Sequence, residues 1–143
     1  MKRLVLTPTY SSYGDVEILS DFLISLGGVY NVYKEGDNIV IELADGASPG
    51  EVVRTILDLG HELALPVYVF VARSGLDDRL VVKKLEQHPA VVAAEYYPRS
   101  GRGSLVVVPG TSREEVEKIL RDVLGPVAKV ETTYVQPIRK SFG

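Results

Sequence analysis

Ser48-Pro49-Gly50-Glu51-Val52 returns 64 positions later as Ser112-Arg113-Glu114-Glu115-Val116. Each copy opens a helical run on a serine that suits an N-cap, and in the first Glu51 completes a capping box. Each follows a run of strand formers, Ile39 to Leu43 in one case and Leu105 to Val108 in the other. The echo extends upstream, where Gly28-Val29 before Tyr33 parallels Ala90-Val91 before Tyr96. A repeat of this period sets the unit of folding before any single residue is read.

Working outward, Leu4 to Leu6 reads as a short buried strand leading into a polar loop, Thr7 to Gly14. Asp15 then suits an N-cap, and Val16, Leu19, Phe22, Leu23 and Leu26 recur at helical spacing until Gly27-Gly28 ends the run. Val29 to Lys34 and Asn38 to Leu43 are strand-like and joined by Glu35-Gly36-Asp37, a hairpin composition. In the helix capped by Ser48, Pro49 takes the first position and Val52, Ile56 and Leu59 form the inner stripe. Val67 to Val71, after Pro66, is nearly pure β-formers. A helix near Leu76 to Gln87 follows, started by Asp77-Asp78 and stopped at His88-Pro89. Ala90 to Tyr97 and Ser104 to Val108 are strands around a turn-rich segment, Pro98 to Gly103. The helix opened by Ser112 runs to Leu124, Gly125-Pro126 ends it, and Val127 to Val135 is the last strand.

The expected fold is therefore α+β: two ferredoxin-like βαββαβ-type halves with antiparallel sheets, one strand short of a full duplication. Residues 1–65 form the first half, 66–135 the second, and 136–143 a C-terminal tail. The run Val67 to Val71 would have to end one unit and begin the next, and it is assigned to the second. A two-layer unit of this kind carries both helices on one face and leaves the other sheet face open, to be covered by the second half or by a second molecule.

The order helix, hairpin, helix, carried by Leu26-Gly27-Gly28-Val29 with Ser48 to Val52 and by His88-Pro89-Ala90-Val91 with Ser112 to Val116, resembles the heavy-metal-associated domain family, whose members are ferredoxin-like and often tandem. That family binds soft metals through two cysteines in the loop after the first strand. Here the corresponding loops read Thr7-Pro8-Thr9-Tyr10-Ser11-Ser12-Tyr13 and Ala72-Arg73-Ser74-Gly75. Hydroxyls are poor ligands for copper or zinc. The resemblance implies the fold and argues against the family's activity.

Composition narrows the function classes. The 143 residues include no cysteine, so disulfides, iron–sulfur clusters and thiolate metal sites are excluded. A formal net charge of −3 argues against indiscriminate nucleic-acid binding, which rests on neutralising phosphates. No apolar run approaches the ~20 residues of a membrane span. Thr7-Pro8-Thr9 cuts the N-terminal apolar run well short of the roughly 7 to 15 residues of a signal peptide. The expectation is a cytoplasmic chain with no membrane partner. The scarcity of Asn, Gln, Met and Cys leans toward a thermophilic source.

Two loops stand out as candidate sites. Thr7, Thr9, Tyr10, Ser11, Ser12 and Tyr13 crowd hydroxyls before a helix, where an anion or small polar ligand could sit; Asp15 opposes an anion there. Arg99 and Arg102, in Arg99-Ser100-Gly101-Arg102-Gly103, could contact phosphate, with Tyr68 and Phe70 on one strand face to stack bases. The strand after Arg102-Gly103 lacks the aromatics of an RNA-recognition motif, so nucleic acid ranks last among the partners. His61 and His88 lack partners at ligand or relay spacing and read as helix-end residues. Glu114, Glu115, Glu117, Lys118, Arg121 and Asp122 make a solvated helix face. No carboxylate pair is spaced for acid–base work, and no metal or cofactor signature is present. Eight tyrosines, several on strands, mark an open sheet face as a contact surface. The leading reading is a non-enzymatic binding or regulatory module that forms a homo-oligomer or takes a protein partner.

Overall fold

A computed structural model describes residues 2–9, 16–126 and 129–139. The elements are β1 (Lys2–Pro8), α1 (Val16–Ser25), β2 (Val29–Glu35), β3 (Asn38–Leu43), α2 (Pro49–Asp58), β4 (Leu63–Val71), α3 (Asp78–Glu86), β5 (Val91–Tyr97), β6 (Arg102–Val107), α4 (Arg113–Leu124) and β7 (Lys129–Ile138). The repeated motifs act as helix starts. Ser48 Oγ accepts the Glu51 N–H at 3.4 Å and Ser112 Oγ accepts the Glu115 N–H at 3.1 Å. Asp77 caps α3 by accepting from the amides of Arg79 and Leu80.

The sheet is antiparallel throughout. One half has the strand order β2-β3-β1-β4, and the other repeats it as β5-β6-β4-β7. Both are ferredoxin-like, and β4 is the strand they share. β7 runs along β4 from Leu63 to Val71. A strand has two hydrogen-bonding edges, so β1 and β6 take successive stretches of the other. Thr7 and Pro8 pair with Ala64 and Leu63, while Val67 to Val71 pair with Val106 to Arg102.

Burial along β4 shows how the two units stack. Leu63, Leu65 and Val67 are buried, with Ala64 and Pro66 between them half-buried; past Val67 the buried positions become Tyr68 and Phe70. Successive side chains of a strand point to opposite faces. The first half's core, with Leu4, Leu6 and Ile41 of the sheet, therefore lies on one side of β4. The second half's core, around Phe70, Leu105 and Tyr96, lies on the other. Tyr96 anchors the second side, donating its hydroxyl to the Arg73 carbonyl and accepting the Leu76 N–H just before α3.

The face that a single two-layer unit leaves open is covered, over part of the second half, by the first half. Val106 and Val108 lie on the face of β6 away from Phe70, yet both are buried. The cover is α2 of the first half: Gly50 donates to the Pro89 carbonyl at 2.7 Å, and the Arg54 guanidinium donates to the carbonyls of Val91 and Val92 at 3.1 and 3.3 Å. All the buried apolar residues except Val40 form one contiguous cluster across both halves. Two local readings also change. β4 begins at Leu63, ahead of Pro66, and β7 continues to Ile138, so Gln136 to Ile138 pair with Leu65 to Leu63 instead of trailing as a tail. Asp15 lies outside the described residues.

Candidate interaction surface

The strip of sheet left uncovered in the second half can be read from the register. Tyr97 stands opposite Arg102, Arg102 opposite Val71, and Val71 opposite Lys129. The next row on the same face is Glu95, Ser104, Val69 and Glu131. Cross-strand neighbours on one face approach to about 5 Å, so the eight side chains form a single surface. Tyr97 is 53% exposed. Arg102, Glu95, Lys129 and Glu131 are exposed, and Val69 and Val71 are half-buried between them.

One row is basic with a phenol at its end, and the other carries two carboxylates. The rows are tied along the strands. The Tyr97 hydroxyl donates to Glu95 Oε2 at 2.6 Å, and Lys129 Nζ lies 2.7 Å from Glu131 Oε1. The hydrogen bond to the Glu95 carboxylate, with its charge, raises the Tyr97 phenol pKa above the ordinary value. The bond from Lys129, with the positive charges of Lys129, Arg102 and Arg113, lowers the pKa of the Glu131 carboxylate.

In the first half the corresponding strip holds Arg3, Val5 and Thr7 of β1 opposite Glu42 and Val40 of β3. Arg3 is bound to Glu35 at 2.5 Å. Thr7 Oγ1 donates to Asn38 Oδ1 at 3.0 Å, and Val5 between these two pairs is 38% exposed.

The candidate residues named from sequence are dispersed. Thr9 donates its hydroxyl to Glu62 Oε1 at 2.5 Å and its N–H to the Glu62 carbonyl at 3.1 Å, which engages it with the start of β4. Tyr10, Ser11, Ser12 and Tyr13 lie outside the described residues. Arg99 and Arg102 are exposed at the β5–β6 turn, as expected of a hairpin tip. Tyr68 and Phe70 do share a face, but it is the core face: Phe70 is 0% exposed and lies over Gly103, so neither ring offers a stacking surface. His61 is partly buried, and that desolvation lowers its pKa. His88 Nδ1 accepts the Ala90 N–H at 3.2 Å, a local turn contact. On α4, Arg113 pairs with Glu117 at 3.2 Å. Among the described residues no group of three or more His, Cys, Asp or Glu is arranged to hold a metal ion.

Sequence reading did not pick out Glu95, Lys129 or Glu131. The signal was present as period-two pairs, Glu95/Tyr97 and Lys129/Glu131, polar at the parity opposite to the core positions.

No family model and no curated protein sequence matches the chain. Among solved structures it is similar to the N-terminal soluble domains of Bacillus subtilis CopA, with 10% identity over 92% of this chain and 93% of that one and a TM-score of 0.43. A likeness that distant carries no functional argument. The ferredoxin-like assignment rests on the strand order of the chain itself. No helix among the described residues is long and apolar enough to cross a membrane.

Proposed function

We propose that this chain is a non-enzymatic binding module that associates with a second copy of itself through the uncovered strip of the second half. The observation that carries the reading is the exposed cross-strand pair Tyr97 and Arg102, beside half-buried Val69 and Val71. Tyrosine and arginine are the residue types that most often dominate interface energies, because each combines area with directed hydrogen bonding. Arrangement in one basic and one acidic row suits a two-fold partner, in which each row meets the other's opposite. A different protein partner could use the same strip. The test is a native mass spectrum with sedimentation at about millimolar protein, for wild type and for Arg102→Glu. A dimer lost in Arg102→Glu supports the reading. A wild-type monomer at that concentration removes self-association, and capture of a defined protein by the same strip would then be its surviving form.

A second reading, binding of single-stranded RNA, is favoured by the accessible Tyr97 ring lying beside Arg102 and near Arg99. It requires a complex at low salt that weakens steeply as salt rises. A gel shift with an unstructured oligonucleotide that shows no complex at low salt ends it.

A further inference from the structure

Among the described residues, β1 has an edge that is left mostly unpaired. β3 pairs with β1 from Lys2 to Leu6, and in an antiparallel pair alternate residues turn their N–H and C=O groups to opposite edges. Among the described residues, the second edge is paired only at Thr7 and Pro8. Beyond that point β6 takes over the edge of β4, with Val106 opposite Val67, and the chain then turns away at Pro109-Gly110. β1 is thus prised from β4 toward its own N-terminal end. The gap is a groove of about 480 Å³, with Lys2, Arg3 and Leu4 on one wall and Val108 to Thr111 on the other. This volume falls within the roughly 300–1,000 Å³ of small-ligand sites.

Backbone donors and acceptors in such a cleft need partners. An extended peptide supplies both at the strand's own spacing, and side chains of the groove then select among peptides. At ~3.3 Å per residue, Lys2 to Leu4 spans about three residues of an added strand. Charge sets its direction. Arg3 is committed to Glu35, which leaves Lys2 as the groove's positive group; Glu115 is the carboxylate of the lining, and Asp45, outside it, also feels the Lys2 charge. A strand antiparallel to β1 ends beside Lys2, so its terminal carboxylate meets the ammonium group. The apolar walls, Leu4, Leu43 and Val108, take the side chains.

We infer that the groove between β1 and the β6–α4 loop binds the C-terminal end of an extended peptide, added antiparallel to β1 with its carboxylate at Lys2. The site is separate from the Tyr97–Arg102 strip and does not depend on it.

The test is a ¹⁵N NMR titration of the full chain with acetyl-Val-Thr-Val bearing a free carboxylate, against the same tripeptide as its C-terminal amide. Saturable shifts at Lys2 to Leu6 and at Gly110 and Thr111 are expected with the acid. The amide should bind about tenfold more weakly, as should the acid with the Lys2→Gln chain, a factor worth ~1.4 kcal/mol. Lys2 is exposed, so Lys2→Gln should leave the remaining spectrum unchanged. Equal affinity for acid and amide, shifts confined to other surfaces, or no shifts at millimolar peptide would each overturn the assignment.

Discussion

The Gly50 N–H donates to the Pro89 carbonyl at 2.7 Å, and this contact seats the first turn of α2, from one half, on the loop between α3 and β5 of the other. Only glycine allows it. A Cβ on residue 50 would lie 2.2 Å from the Val91 carbonyl oxygen and 2.9 Å from that of Pro89, both backbone atoms with no rotamer to give way.

Gly50→Ala is therefore expected to destabilise the protein by about 3 kcal/mol, the upper part of the range for overpacking. In an exposed helix the same change gains up to ~1 kcal/mol, so even the sign is diagnostic. Gly46→Ala, where a Cβ meets nothing within 4 Å and φ is not positive, is the control and should be near neutral. Urea unfolding midpoints for the two variants decide it. A Gly50→Ala chain as stable as wild type would mean α2 is not seated in this way.

Arg54 reinforces the same junction. Its guanidinium donates to the carbonyls of Val91, Val92 and Glu86, the last at 3.4 Å near the C-terminus of α3, where a cation is also favoured by the helix dipole. Arg54→Met should cost about 1.5–3 kcal/mol, the usual worth of charged hydrogen bonds to partly buried partners. All three contacts come from a single nitrogen, Nη1, so Arg54→Lys should recover part of the loss, its ammonium keeping the charge and three donors. Denaturation together with amide exchange in β5 is the measurement. Faster exchange confined to Val91 to Ala94 supports the role, and unchanged stability in Arg54→Met refutes it.

Tyr97 should titrate abnormally. Its hydroxyl donates to the Glu95 carboxylate, and ionising the phenol would place two negative charges side by side. The neutral phenol is thus favoured, and the pKa moves above the usual value of about 10. Tyrosinate absorbance should show one group ionising later than the exposed remainder. Glu95→Gln should return it toward the ordinary value, because it removes the charge and leaves only an amide carbonyl as acceptor. A curve identical before and after Glu95→Gln would show that the pair does not form.

The unit of the fold was legible because it rests on local chemistry. Ser48 and Ser112 cap their helices in the structure as their spacing from Glu51 and Glu115 predicts. Asn38 to Leu43 forms the strand that its β-formers indicate. Candidate sites were less legible. Tyr68 and Phe70 share a face by simple alternation, but alternation cannot say which face the helices cover. β4 belongs to two units, and its buried parity changes at Val67–Tyr68. Among the described side chains of the second half, the accessible aromatic is Tyr97, on a neighbouring strand at the opposite parity.

The sequence by itself determined the ferredoxin-like order, the four helix-bearing segments and the exclusion of cysteine chemistry, because caps, periodicity and composition act within a few residues of one another. Only the tertiary structure decided that β4 serves both halves, that α2 covers part of the far face of β5 and β6, and that β1 keeps an edge, unpaired among the described residues, beside a groove. Those outcomes depend on which strand takes each edge of β4. That competition is settled by packing between segments about 40 residues apart, such as Gly50 against Val91 and Val67 against Val106, and no local pattern in the chain records it.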